Sequence, residues 1–211
     1  RITAQSIQED FSENSSQWQQ LELIVSEIQR LSKITRDLNT FGKPSPPEIL
    51  PHLPEDILSG LKMLIEGEAK AKGVHVNIST DSNPGLIHVD AQQIQQVLLN
   101  LVVNSLQSMP EGGTRNLEIK RNKQLSDESQ IVFSVADTGV GIPSEHLDLI
   151  FEPFFTTRKQ GSGLGLALAY TLVTQNHGNI RVESKPNQGT TFFIRFPLYL
   201  ENQEQSIALS A

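Results

Sequence analysis

Ile131-Val132-Phe133-Ser134-Val135-Ala136 runs directly into Asp137-Thr138-Gly139-Val140-Gly141-Ile142. The first six residues read as a strand; the next six set a carboxylate at its end, followed by two glycines two apart. A rigid strand makes that carboxylate a fixed acceptor, and backbone without Cβ atoms lets a flat ligand approach closely. Taken alone, the same residues also describe an ordinary Asp-Gly turn.

Upstream, residues 91–109 read as a helix without a single charged side chain, started by a capping box of Asp90 with Gln93. At helical spacing Gln93, Gln96, Asn100, Asn104 and Gln107 share roughly a quarter of its circumference, with aliphatic residues over the rest. A buried amide without a partner costs on the order of 1 to 3 kcal/mol, so the stripe must meet water or a polar ligand. A solvent-facing side is the plain reading. Exposed faces are usually charged, however, and amide oxygens suit a hard cation such as Mg²⁺ that keeps waters and phosphates in its shell.

Downstream, Gly161-Ser162-Gly163-Leu164-Gly165-Leu166 opens a helix expected over 163–175. Such glycines let backbone N–H groups face phosphate oxygens at a helix N-terminus, although a flexible loop and cap would look the same. The spacing is not that of a Walker-type loop. Phe151-Glu152-Pro153-Phe154-Phe155-Thr156-Thr157-Arg158-Lys159 precedes it and reads as a lid, its aromatic end packed down and its cationic end able to reach a terminal phosphate.

Further out, 55–71 reads as a helix stopped by Gly73, and 74–79, 117–121 and 130–137 as strands. Residues 180–183 and 190–196 read as a hairpin around Pro186-Asn187-Gln188-Gly189. Helices gathered on a mainly antiparallel sheet make an α+β, two-layer sandwich. Near the start, Leu21, Ile24, Ile28, Leu31, Thr35, Leu38 and Phe41 form the narrow seam of a bundle helix, which needs a second helix or a second copy of the chain. The run from Gly42 to Pro47 ends that helix and marks a domain boundary. Residues 201–211 read as a loose polar tail.

The 211 residues carry 17 basic and 24 acidic side chains, a net charge of -7, with 37% hydrophobic content. That describes a soluble globular protein and argues against a basic nucleic-acid surface. With no cysteine, disulfides, thiolate zinc sites and cysteine nucleophiles are excluded. The most apolar stretch, 94–109, is interrupted by five amides and is no spanning helix. The start at Arg1 suggests a fragment of a longer parent, whose membrane status is open; this part is expected to be cytoplasmic.

In order and spacing, N-x-x-x-N, D-x-G-x-G, F-x-P-F and G-x-G-x-G-L resemble the N, G1, F and G2 boxes of the sensor histidine kinase ATP-binding domain. That domain has the Bergerat-type fold of the superfamily that includes gyrase, Hsp90 and MutL. The resemblance covers about 50–200 and includes Gly178-Asn179-Ile180 and Gly189-Thr190-Thr191-Phe192. Residues 1–46 resemble, more weakly, part of the family's dimerisation and phosphotransfer helices.

The resemblance implies ATP and Mg²⁺ as ligands. Asn104 would bind the metal and Asn100 would support the triphosphate site. Asp137 would take the adenine amino group, with Gly139, Gly141 and Ile142 shaping its pocket. Gly161, Gly163 and Gly165, with Leu164 and Leu166, would form the phosphate loop. Thr157 belongs to the lid, and Arg158 or Lys159 would approach the γ-phosphate. Gln107 has no assigned role.

The superfamily's hydrolases place a glutamate four residues before the metal-binding asparagine. An amide stands there in this chain and cannot take a proton from water near neutral pH, which favours γ-phosphoryl transfer to a histidine over hydrolysis. None of His52, His75, His88, His146 or His177 has the acceptor setting, so the acceptor is expected just upstream of Arg1. Implied partners are a second copy through the N-terminal helices and a response regulator receiver domain. A hydrolase driving conformational change, or a nucleotide-responsive dimerisation module without catalysis, are the alternatives.

Overall fold

The computed structural model describes residues 15–42, 45–80, 85–109, 116–123, 130–158 and 161–199, the strand at 116–123 and parts of the first helix as backbone only. In chain order the elements are α1 (Ser16–Gly42), β1 (Leu50–His52), α2 (Pro54–Ala71), β2 (His75–Thr80), β3 (Leu86–Val89) and α3 (Ala91–Ser108). They continue with β4 (Asn116–Lys123), β5 (Gln130–Asp137), a 3₁₀ turn at Ser144–His146, α4 (Gly165–Gln175), β6 (Asn179–Ser184) and β7 (Thr190–Tyr199). The seven strands form one sheet in the order β1-β3-β7-β5-β4-β2, with β6 also on β7.

β7 is the hub. It pairs antiparallel with β5 from Thr190 to Pro197, and with β6 and then β3 on its other edge. On one face Ile131, Phe133 and Val135 of β5 and Phe192, Ile194 and Phe196 of β7 are buried, in step with the two-residue period of a strand. α2, α3 and α4 cover that face, with α3 touching both other helices. From α3, Ile94, Val97, Leu98 and Leu101 are completely buried. Each such side chain contributes about 1.5 to 3 kcal/mol, so the apolar side of α3 is what seats it across the sheet. The result is the α+β two-layer sandwich.

Three differences from the sequence reading have identifiable causes. β1 and β3 were not foreseen, because three or four residues are too short to display a period. β2 pairs with β4 in parallel, a choice made by chain crossover. The capping box is half realised: Asp90 Oδ1 accepts from the N–H groups of Gln92 and Gln93, both at 3.0 Å. Gln93 does not reach back; the Asp90 N–H donates instead to Asn176 Oδ1 at 2.6 Å.

α1 begins at Ser16 because the Ser15 hydroxyl caps the N–H of Trp18 at 3.1 Å, and it ends at Gly42. Among its described side chains Val25, off the seam, is buried, and the helix touches α4. Much of the described seam is bare: Ile24, Leu31 and Leu38 are 50%, 60% and 47% exposed, while Leu21 is partly covered. Residues 1–14 and 201–211, read as helix remnant and tail, lie outside the described residues. No helix among the described residues is long and apolar enough to cross a membrane.

Candidate functional site

The site forms where the C-terminal half of α3, the end of β5 and the start of α4 meet. Asp137, the last residue of β5, is 7% exposed. Its described hydrogen bonds both fall on Oδ1, from the Gly139 N–H at 2.9 Å and the Ser108 hydroxyl at 3.2 Å. A Cβ on Gly139 would run into the Ser108 hydroxyl and the Asp137 carboxylate, so this turn tolerates only glycine.

The turn is clamped on its other side by the β6–β7 hairpin. Gly141 has φ +69°, and a Cβ there would strike the Lys185 carbonyl. The N–H of Ile142 donates to the Ser184 hydroxyl at 2.8 Å, and that of Asn187 to the Val140 carbonyl at 2.7 Å. Sequence reasoning missed Ser108 and Ser184. Their only sequence signal is a position near the ends of α3 and β6, which says nothing about what they face.

Every amide of the α3 stripe makes a side-chain hydrogen bond within the protein, while Gln96 and Gln107 remain exposed. The Gln93 side-chain N–H group donates to the Ser45 carbonyl at 2.9 Å and its oxygen accepts from Asn176 at 2.8 Å. Gln96 donates to Asn100 Oδ1 at 2.9 Å, and Asn100 Nδ2 donates to the Gly165 carbonyl at 3.1 Å. Asn100 thus ties α3 to the first residue of α4. Arg158 closes the stripe: Nη1 donates to Asn104 Oδ1 at 2.6 Å and Gln107 Oε1 at 2.7 Å, and Nη2 to the Asn104 carbonyl at 3.0 Å. Burial pushes the Arg158 guanidinium down from its usual range, while the Asp137 carboxylate pulls the other way, so the two charges interact.

The glycines before α4 differ in role. Gly163 has φ +69°, its carbonyl accepts from the Phe154 N–H at 3.0 Å, and a Cβ would overlap the Phe154 backbone. Gly161 is equally confined, against the Thr156 hydroxyl. Gly165 faces open space at the start of α4, where the first-turn N–H groups have no partner within the helix itself. Leu164 is buried and Leu166 packs against the core.

In the lid, Phe151 and Phe155 pack on the core, whereas Phe154 is 62% exposed and has φ 68°. It therefore departs from the packed-down aromatic end expected from sequence, because the chain turns there to meet Gly163. Thr157 is exposed, and Lys159 lies outside the described residues.

Among the described residues no group of three or more His, Asp or Glu side chains could hold a metal alone. A metal would have to use the Asn104 amide oxygen together with phosphates of a ligand. That oxygen already faces a cation, the Arg158 guanidinium, so its orientation fits. A separate open groove of about 440 Å³ between α2 and β2, lined by Glu66, Lys70 and His75 among others, contains none of these groups.

The model of the histidine kinase-, DNA gyrase B- and HSP90-like ATPases matches residues 89–200. The chain belongs to that ATPase family. Among its relatives, sporulation kinase A of Bacillus subtilis is 33% identical over 83% of this chain and 28% of its own length. Sensor kinase CckA of Brucella abortus is 36% identical over 82% of this chain and 20% of its own. The chain therefore spans less than a third of these ATPase-family relatives. The catalytic domain of the histidine kinase ThkA matches with TM-score 0.62 and 28% identity, over 71% of this chain and 95% of that domain. Full-length ShkA, solved with AMPPNP, matches with TM-score 0.70 and 25% identity over 89% of this chain and 39% of its own. This chain is thus an ATP-binding domain of the sensor histidine kinase type within the family.

Proposed function

We propose that this chain is the catalytic part of a sensor histidine kinase, binding ATP and transferring its γ-phosphoryl group to a histidine nitrogen. The observation that carries this is Arg158 held on Asn104 within electrostatic reach of Asp137, with Asn100, four residues earlier on α3, bound to Gly165 at the start of α4. Asp137 would accept from the adenine amino group through the oxygen its neighbours leave available. Gly161, Gly163 and the α4 N-terminus would surround the phosphates, and Asn100 would hold Gly165 in place for them. Arg158, with Lys159 beside it in sequence, would neutralise the terminal phosphate.

Asn104 would hold Mg²⁺, which when bound neutralises phosphate charge. In the transfer, the bond between the γ-phosphorus and its bridging oxygen breaks, a P–N bond forms to imidazole and ADP leaves. A neutral imidazole needs no base to attack, so positioning supplies most of the acceleration. A hydrolase would need a base at Asn100, and both ends of that amide are occupied by Gln96 and Gly165.

The bare seam of α1 favours a second copy of the chain as partner, with 1–46 as part of the dimerisation helices and 50–200 as the catalytic unit, in the cytoplasm. Relay to a response regulator is part of the same proposal; the histidine kinase ThkA has been solved in complex with the response regulator TrrA. The test is radiolabelled ATP with a separately supplied acceptor-helix domain. Label on that domain's histidine supports the kinase; rapid phosphate release without acceptor supports a hydrolase, and no ATP binding overturns both.

A further inference from the structure

Arg158 stands where the metal-binding oxygen points. Its guanidinium is held by two side-chain amides three residues apart on one face of α3, Asn104 Oδ1 at 2.6 Å and Gln107 Oε1 at 2.7 Å, with the Asn104 carbonyl at 3.0 Å as a third acceptor. None of the three carries a charge. Such a cradle orients a cation without the full charge of a carboxylate holding it there. The backbone of Arg158 is anchored separately, its N–H on the Thr156 hydroxyl at 3.1 Å and its carbonyl on the Gly161 N–H at 3.2 Å. The side chain can therefore leave the cradle while its Cα stays beside the glycine loop.

We propose that Gln107 is a positioning residue that, with Asn104, latches Arg158 over the metal-binding oxygen, so that loading the site with metal and nucleotide releases Arg158 toward the phosphates. This rests on the reading of the site given above. A monovalent and a divalent cation on one amide oxygen in a partly dehydrated site repel strongly, so Arg158 must leave Asn104 before that oxygen can serve a metal. Nucleotide without metal does not compete for that oxygen and leaves the latch closed. The latch thus keeps the lid cation off the phosphate loop until a metal-bearing nucleotide arrives.

ADP is the suitable probe, because it lacks the terminal phosphate that Arg158 would reach, and loss of the latch is then the only effect. Wild type, Gln107→Leu and Gln107→Ala are titrated calorimetrically with ADP, once with Mg²⁺ and once with EDTA. A latch closed in about two-thirds to nine-tenths of molecules predicts that both variants bind Mg·ADP about three- to tenfold more tightly. Binding in EDTA stays unchanged. A merely structural Gln107 would move both titrations alike, which would overturn the latch, as would unchanged or weaker Mg·ADP binding in either folded variant. Wild type that binds ADP but shows no such difference defeats the latch alone; wild type that binds ADP under neither condition defeats the nucleotide reading and the latch with it.

Discussion

Replacing Asp137 by asparagine separates recognition from folding unusually well at this site. The described hydrogen bonds to Asp137 both land on Oδ1, from the Gly139 N–H at 2.9 Å and the Ser108 hydroxyl at 3.2 Å. An amide oxygen accepts both, so the turn should survive with a stability change under about 1 kcal/mol. Its second atom becomes an NH₂ group, a donor facing the adenine amino donor. Loss of a charge-assisted hydrogen bond there costs about 1.5 to 3 kcal/mol, which weakens ATP binding about ten- to 150-fold. Inosine triphosphate carries a carbonyl where adenine carries the amine, so the same NH₂ group pairs with it and the base preference shifts toward inosine. Calorimetric titration of both nucleotides, with thermal melting as the folding control, measures all three quantities. An equal loss for ATP and inosine triphosphate, or a collapse of stability with ATP affinity unchanged in the folded fraction, would refute the adenine contact.

Other substitutions test the surrounding frame. Asn100→Glu sets a carboxylate against the Gly165 carbonyl that now accepts from Nδ2 at 3.1 Å; a loss of about 1 to 3 kcal/mol in urea unfolding, with no rise in phosphate release, is expected. Undiminished stability or rapid hydrolysis would contradict that geometry. Asn176→Ala removes a side chain 1% exposed that accepts from the Asp90 N–H at 2.6 Å and donates to Gln93 and the Leu172 carbonyl, both at 2.8 Å. The cost should reach about 2 to 4 kcal/mol in the same assay, since three hydrogen bonds of a buried amide are lost and the part-buried Asp90 N–H and Gln93 oxygen are left unpaired. Gly163→Ala forces a φ of +69° on a residue with a side chain, about 1 to 2 kcal/mol before its overlap with Phe154 is counted. Its lid should become protease-sensitive and its ATP affinity should fall; an unaltered digestion pattern would speak against the contact.

Much of the layout was legible because its causes are local. The uncharged character of α3, the strand leading into Asp137 and the glycine-rich runs at 139–141 and 161–165 are properties of neighbouring residues, visible in the order of side chains. The amide stripe was visible too, and so was the need for it to meet something polar. What each amide meets was not visible. Gln93 meets Ser45 across 48 positions, Asn100 meets Gly165 across 65, and Asn104 meets Arg158 across 54.

The amino-acid order by itself determined where the chain would turn, which helix side would be apolar and which residue types stood ready for a nucleotide. Only the tertiary structure decided that Arg158 rests on Asn104 and Gln107, that Ser108 and Ser184 brace the Asp137 turn, and that β2 joins β4 in parallel. Periodicity is set over a few residues, whereas a hydrogen bond at 2.6 Å between distant elements depends on the angle and depth at which whole helices pack on a sheet, and that is a property of the assembled core.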